Sequence, residues 1–161
     1  MTYAITLENI RQTYAELEPL YRQHYSEMVA RMAECGVELS PYNPRKDVYF
    51  KAGDDGWLLT FVLRYNTETG PKAESQAVGY CNIYVTNYMH NQDKIAQEDT
   101  IYVMPEHRHG AGRLLSRKVH EELKDRGVKR LSVTTATDLR VFSWLKRQGY
   151  KHTAHHMTIT F

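Results

Sequence analysis

Little in this 161-residue chain points to cysteine or metal chemistry. It has only two cysteines, Cys35 and Cys81, and neither belongs to a metal-ligand spacing. Two buried free thiols are the expected reading, and they favour a reducing compartment. No apolar run approaches the length that spans a bilayer. Met1-Thr2-Tyr3-Ala4-Ile5-Thr6 has neither the basic start nor the apolar stretch of a secretory leader. No membrane partner is expected, and the cytoplasm is the expected location. Neither sign of charge dominates: the net charge is +2, so no concentrated basic surface indicates a nucleic-acid partner. Repeats, linkers and low-complexity segments are missing, which leaves residues 1–161 as one domain. What is abundant is tyrosine, at twelve residues. Tyrosines suit walls that are apolar on the body and polar at the tip.

The most informative stretch runs from Thr100 to Arg117. Ile101-Tyr102-Val103-Met104 reads as a strand stopped by Pro105. Glu106-His107-Arg108-His109-Gly110-Ala111-Gly112-Arg113 follows as a turn. Leu114, Leu115, Val119 and Leu123 then recur at helical spacing. A helix N-terminus presents unpaired N–H groups and a partial positive charge. Gly110 and Gly112 let an anion approach the backbone, and Arg108 and Arg113 add charge. The stretch reads as a pyrophosphate cradle.

Leu7, Ile10, Tyr14, Leu17, Tyr21, Tyr25, Met28 and Met32 predict one amphipathic helix from about Leu7 to Cys35, stopped by Gly36. Pro19 is expected to kink or divide it. His24 lies beside this stripe, where a packing role is expected. Ser40 to Lys46 reads as a loop, and Val48-Tyr49-Phe50 as a short strand. Trp57 to Tyr65 and Ala77 to Val85 are strands joined by a hairpin loop from Asn66 to Ser75, with Gly79 a bulge or close-approach point. Asn87 to Gln97 reads as irregular, with Glu98 and Asp99 opening the next strand. After the cradle helix, which Gly127 ends, Leu131 to Thr135 is a strand parallel to the Ile101 strand. Asp138 is a candidate N-cap for a helix to Gln148 that buries Val141, Phe142 and Leu145. Met157, Ile159 and Phe161 alternate as a terminal strand. The sum is an α+β fold with a mixed, mostly antiparallel sheet flanked by helices.

Taken with the residues that follow, Tyr102 to Leu115 resembles motif A of the GNAT-type N-acetyltransferases. Phe142-Ser143-Trp144-Leu145-Lys146-Arg147-Gln148-Gly149-Tyr150 is similar to that family's motif B. Glu98-Asp99-Thr100 with Pro105 to Arg108 resembles a subset encoded by phages and prophages, which would place the protein in a host cytoplasm. Two departures stand out. Arg108 precedes Gly110 by one residue fewer than usual, with His107 in the customary arginine position. Leu145 stands where the family commonly carries a tyrosine that protonates the leaving thiolate.

The resemblance implies acetyl transfer from acetyl-CoA to a primary amine, by a monomer or a homodimer. It implies cofactor contacts from Tyr102, Val103, Arg108, His109, Gly110, Ala111, Gly112, Arg113 and Trp144, with the Val103 N–H as oxyanion donor. The attacking amine must lose a proton, and Glu98 or Asp99 is the candidate base, with Tyr102 and Tyr84 as alternative hydroxyls. A non-catalytic CoA-binding module is the competing reading. A P-loop is excluded because its Lys-Ser/Thr pair is missing. His152, His155 and His156 complete no metal-ligand pattern, and no metal site is expected.

Overall fold

The computed structural model describes residues 2–67, 75–135, 139–156 and 158–159. Five strands form one sheet: β1 (Thr2–Glu8), β2 (Leu58–Asn66), β3 (Ser75–Asn87), β4 (Lys94–Val103) and β5 (Arg130–Ser132). They lie in chain order, antiparallel except for the parallel β4–β5 pair. Four α-helices flank them: α1 (Ile10–Glu34), α2 (Lys46–Asp54), α3 (Ala111–Asp125) and α4 (Leu139–Arg147).

The sheet is apolar on both faces. On one, Phe61, Leu63, Val78, Cys81 and Ile83 pack against Leu115, Val119 and Leu123 of α3. On the other, Val62, Tyr80 and Tyr102 meet Ile10, Tyr14, Leu17 and Tyr21 of α1 and Ala52 of α2. The helix α3 follows from its spacing, since every buried side chain after its first turn falls on one stripe.

Several sequence expectations need correction. Thr2 to Glu8 is a strand, and α1 starts only at Ile10, behind the Asn9 cap whose side chain accepts from the Arg11 N–H at 2.8 Å. Leu7 had merged a strand's alternation with the helical period. Pro19 neither divides α1 nor ends it; one missing bond is offset by five buried anchors, Ile10, Tyr14, Leu17, Leu20 and Tyr21. Val48-Tyr49-Phe50 lies in the helix α2, whose Gly53 packs on Ile10. Three β-formers do not outweigh that helix–helix contact. Of the two cysteines Cys81 is buried, but Cys35 is exposed at the end of α1. The strand predicted to Thr135 stops at Ser132, and β4 starts at Lys94, so Glu98 and Asp99 lie inside it. Ile159 is exposed and in no strand. Asp138, Met157, Phe161 and most of the Asn66–Ser75 loop lie outside the described residues.

Gly79 is a close-approach point. A Cβ there would sit 2.7 Å from the Tyr102 carbonyl oxygen and 3.2 Å from the Val103 Cα. Gly79→Ala is therefore expected to force β3 and β4 apart and lower stability by about 1–3 kcal/mol. Urea unfolding checks this, and an unchanged midpoint would mean the strands absorb the methyl.

Candidate active site

The site begins where two parallel strands part. β5 pairs with β4 only from Ile95–Arg130 to Gln97–Ser132, yet β4 continues to Val103. Beyond Gln97 one edge of β4 has no strand partner among the described residues. The register decides which groups face that edge. Met104 N–H donates to the Val78 carbonyl at 2.9 Å, so the Gly79–Val103 pair exchanges no bonds of its own. Alternation makes Ile101 the same. Ile101 and Val103 therefore turn their peptide groups toward the open slot.

A bulge sits at the slot's inner end. Asn82 pairs with Thr100 and Ile83 with Glu98, leaving Asp99 as the extra residue. Glu98 shares the α3 face with Ile83, 9% exposed, where burial pushes its carboxyl up to about 7 against a bond from the Thr134 N–H. Asp99 faces α1 and α2 beside Thr100. It accepts from Tyr49 Oη at 2.9 Å and Thr100 Oγ1 at 3.3 Å, while burial raises its pKa. The two acids thus flank β4 on opposite faces.

At the other end of β4, Pro105–His107 forms a short 3-10 turn and Gly110 caps α3 at φ +95°. Only glycine enters that left-handed region without strain. The N–H groups of His109, Ala111 and Gly112 find no acceptor among the described residues. A Cβ on Gly112 would meet nothing within 4 Å, so the space before these donors is open. Arg113 is exposed and makes no ion pair among the described residues. The cradle's backbone suits an oxyanion.

Its expected side chains are placed differently. Arg108 turns back to α1, where its Nη2 meets both Glu27 oxygens at 2.8 and 2.9 Å, while its Nε donates to the Val103 carbonyl at 2.8 Å. His107 packs edge to face on Tyr3, sharing a 3.0 Å hydrogen bond with its hydroxyl. Neither side chain points into the cradle. Tyr102 donates to Glu27 at 3.1 Å and stacks on the His24 ring at 5.2 Å, and burial pushes its hydroxyl up to about 12. Tyr84 lies on β3 beside Trp57. Trp144 is half-buried on α4, and the adjacent Leu145 is buried.

Sequence reasoning missed Glu27 and the His120–Tyr150 pair, whereas His24 takes the packing role expected of it. Glu27 holds Arg108 and Tyr102; its signal was its position one turn after His24. His24 shares a 2.8 Å bond with the Tyr80 hydroxyl, and burial holds its pKa below the usual value. His120 Nε2 and Tyr150 Oη lie 2.6 Å apart between α3 and the end of α4, which no local pattern announces. Among the described residues no group of three or more His, Cys, Asp or Glu side chains is placed to hold a metal ion. No helix among them is long and apolar enough to cross a membrane.

A mixed sheet whose parallel pair parts, leading into a glycine-opened helix N-terminus, is an arrangement suited to holding an anionic ligand beside an open strand edge. The chain belongs to the acetyltransferase (GNAT) family, whose model matches residues 14–150. Its fold is that of solved N-acetyltransferases. It is similar to a ribosomal-protein-alanine N-acetyltransferase from Brucella melitensis biovar Abortus 2308 (TM-score 0.73, 17% identity, covering 100% of this chain and 99% of that one). It is similar also to glucosamine-6-phosphate N-acetyltransferase from Arabidopsis thaliana (0.69, 10%, 100% and 99%). An aminoglycoside acetyltransferase, HMB0005, from an uncultured soil metagenomic sample gives 0.66 at 14% identity, again covering 100% and 99%. No curated protein matches the sequence.

Proposed function

We propose that the protein moves the acetyl group of acetyl-CoA to a primary amine by direct attack on the thioester. The observation that carries this reading is the slot itself: β4 leaves β5 after Gln97 and runs to the N-terminus of α3, its edge and the first N–H groups of that helix unpaired among the described residues. The pyrophosphate would lie against Ala111 and Gly112, with Arg113 adding charge. The Ile101 and Val103 peptides would hold the pantetheine arm by strand-like bonds, and one of their N–H groups would receive the oxyanion. Arg108 would contribute through its backbone and by fixing the Val103 carbonyl.

Glu98 is the assigned base. A carboxylate with a pKa about 7 exists substantially as the base at neutral pH, yet binds a proton well enough to take one from an ammonium. The buried Leu145 removes one side-chain acid from the exit of the thiolate, so the leaving group takes its proton from water or another group. That same residue favours the second reading, a CoA-binding module without turnover.

Incubation with acetyl-CoA and an amine panel, followed by free-thiol release, decides between them. Amine-dependent thiol release is expected. CoA binding by calorimetry with no release from any amine would favour the module.

A further inference from the structure

We propose that the free edge of β1 pairs with β1 of a second copy of this chain, antiparallel about a two-fold axis at Ile5, joining two sheets into one. The pairing is independent of the acetyl-transfer reading. β1 is the outer strand of the order β1-β2-β3-β4-β5, so among the described residues it has a neighbour on one side only. The register shows which of its backbone groups are left over. Gly79 and Val103 exchange no bonds, so Gly79 turns its peptide groups to Leu63 of β2. Alternation then turns the groups of Val62 and Arg64 toward Thr6 and Ala4. The N–H and C=O groups of Tyr3, Ile5 and Leu7 therefore face outward, unpaired among the described residues.

These three residues complement themselves under a two-fold axis. Tyr3 would pair with Leu7, Ile5 with Ile5, and Leu7 with Tyr3. Each pair exchanges two bonds, so the ladder would hold about six. Tyr3 and Ile5 pack on the α3 face, and alternation puts Leu7 on the same side, where it is 38% exposed. Across the axis Leu7 would meet the ring of Tyr3, an apolar cross-strand pair. That ring is already held by a 3.0 Å bond to His107 and by the Tyr65 ring at 5.4 Å. On the opposite face Ala4 would oppose Thr6 and Thr2 would oppose Glu8, so no like charges meet.

The edge is also unguarded. Strand edges that must stay free carry lysine, proline or a bulge. Thr2–Glu8 contains neither residue, and its pairing with β2 runs without a register shift. Its one charge, Glu8, is drawn onto Arg64 at 2.7 Å instead of standing at the rim. Seven residues give a ladder about 24 Å long, a small interface that suits a reversible dimer. The slot beside β4 lies away from this edge and would remain open in both copies.

Sedimentation of the native chain over about 1–200 μM tests this, beside residue-resolved amide exchange by NMR. A dimer with a Kd of about 1–100 μM is expected. The Tyr3, Ile5 and Leu7 amides should gain protection as concentration rises, while Ala4 and Thr6 are protected throughout. Leu7→Pro removes only an outward N–H, which an edge strand tolerates, and Leu7→Glu sets a charge against the Tyr3 ring. Each acts twice in a symmetric pair, so each should weaken the dimer at least about tenfold and leave the monomer folded. A chain that stays monomeric throughout overturns the proposal and leaves the edge to a strand of another protein. So does a dimer that both folded variants retain at native affinity, or one whose Tyr3, Ile5 and Leu7 amides exchange freely.

Discussion

Gly112→Asp is expected to abolish measurable CoA binding while leaving the melting temperature at or slightly above that of the native protein. The two halves have separate causes. Gly112 is the second residue of α3, and a Cβ there meets nothing within 4 Å, so the new side chain displaces no neighbour. Aspartate in a first helical turn interacts favourably with the helix dipole, by about 0.3–1 kcal/mol, and it replaces the poorest non-proline helix former. The fold should not suffer. The carboxylate, however, stands where an incoming phosphate needs room and competes for the N–H groups of Ala111 and Gly112. A loss of at least about 100-fold in CoA affinity is the expected size when a charged anion site is filled by a like charge. Gly110→Asp makes the contrast. Its φ of +95° strains any side chain, so that variant should lose stability by about 1–2 kcal/mol as well as binding. Calorimetric titration with CoA beside a thermal melt reads both effects. Unchanged CoA affinity in Gly112→Asp would move the cradle elsewhere on the chain.

The difference between these two glycines shows what a sequence discloses. The β4–turn–α3 unit was legible because its signals are contiguous: apolar strand, proline stop, glycines, helical stripe. The splay was not. It depends on β5 stopping at Ser132 while β4 continues, and Val133 to Thr135 are as strand-like as their neighbours. The placement of the Arg108 side chain was hidden for a similar reason. Its partner Glu27 lies 81 residues away on α1, and nothing local to the loop reveals that pairing. The partner of His107, Tyr3, is 104 residues distant. Short elements failed where tertiary contact overrode propensity, as in α2. The paired acids at 98 and 99 were visible as a pair. Their opposite faces follow from strand alternation, but the bulge that puts Asp99 beside Thr100 is a property of the β3–β4 register.

Glu98→Gln should lower kcat/KM by about 10²–10⁴-fold, the usual contribution of a positioned base. It should also raise stability at alkaline pH. In the native protein the rate should climb as pH rises through about 7, the region in which burial places this carboxyl, because only the ionised form takes the ammonium proton. The variant should lose that limb. The stability effect has the opposite sign and the same cause. The folded carboxyl holds its proton up to about 7, whereas in the unfolded chain it gives it up near its ordinary value of 4.5. Between those values the folded state binds more protons than the unfolded one, so stability falls as pH rises across the window. The full loss, present above about 7, is about 3 kcal/mol at 1.36 kcal/mol per pH unit. A neutral glutamine escapes it. Native and variant proteins should thus melt alike at about pH 4, and the variant should melt higher above about pH 8. The two readouts separate a buried acid from a working one. A stability gain with an undiminished rate would leave Glu98 as a strained structural carboxylate and pass the proton to another group. Loss of the rate together with the pH limb would tie the strain of burying Glu98 to the chemistry at the parting of β4 and β5.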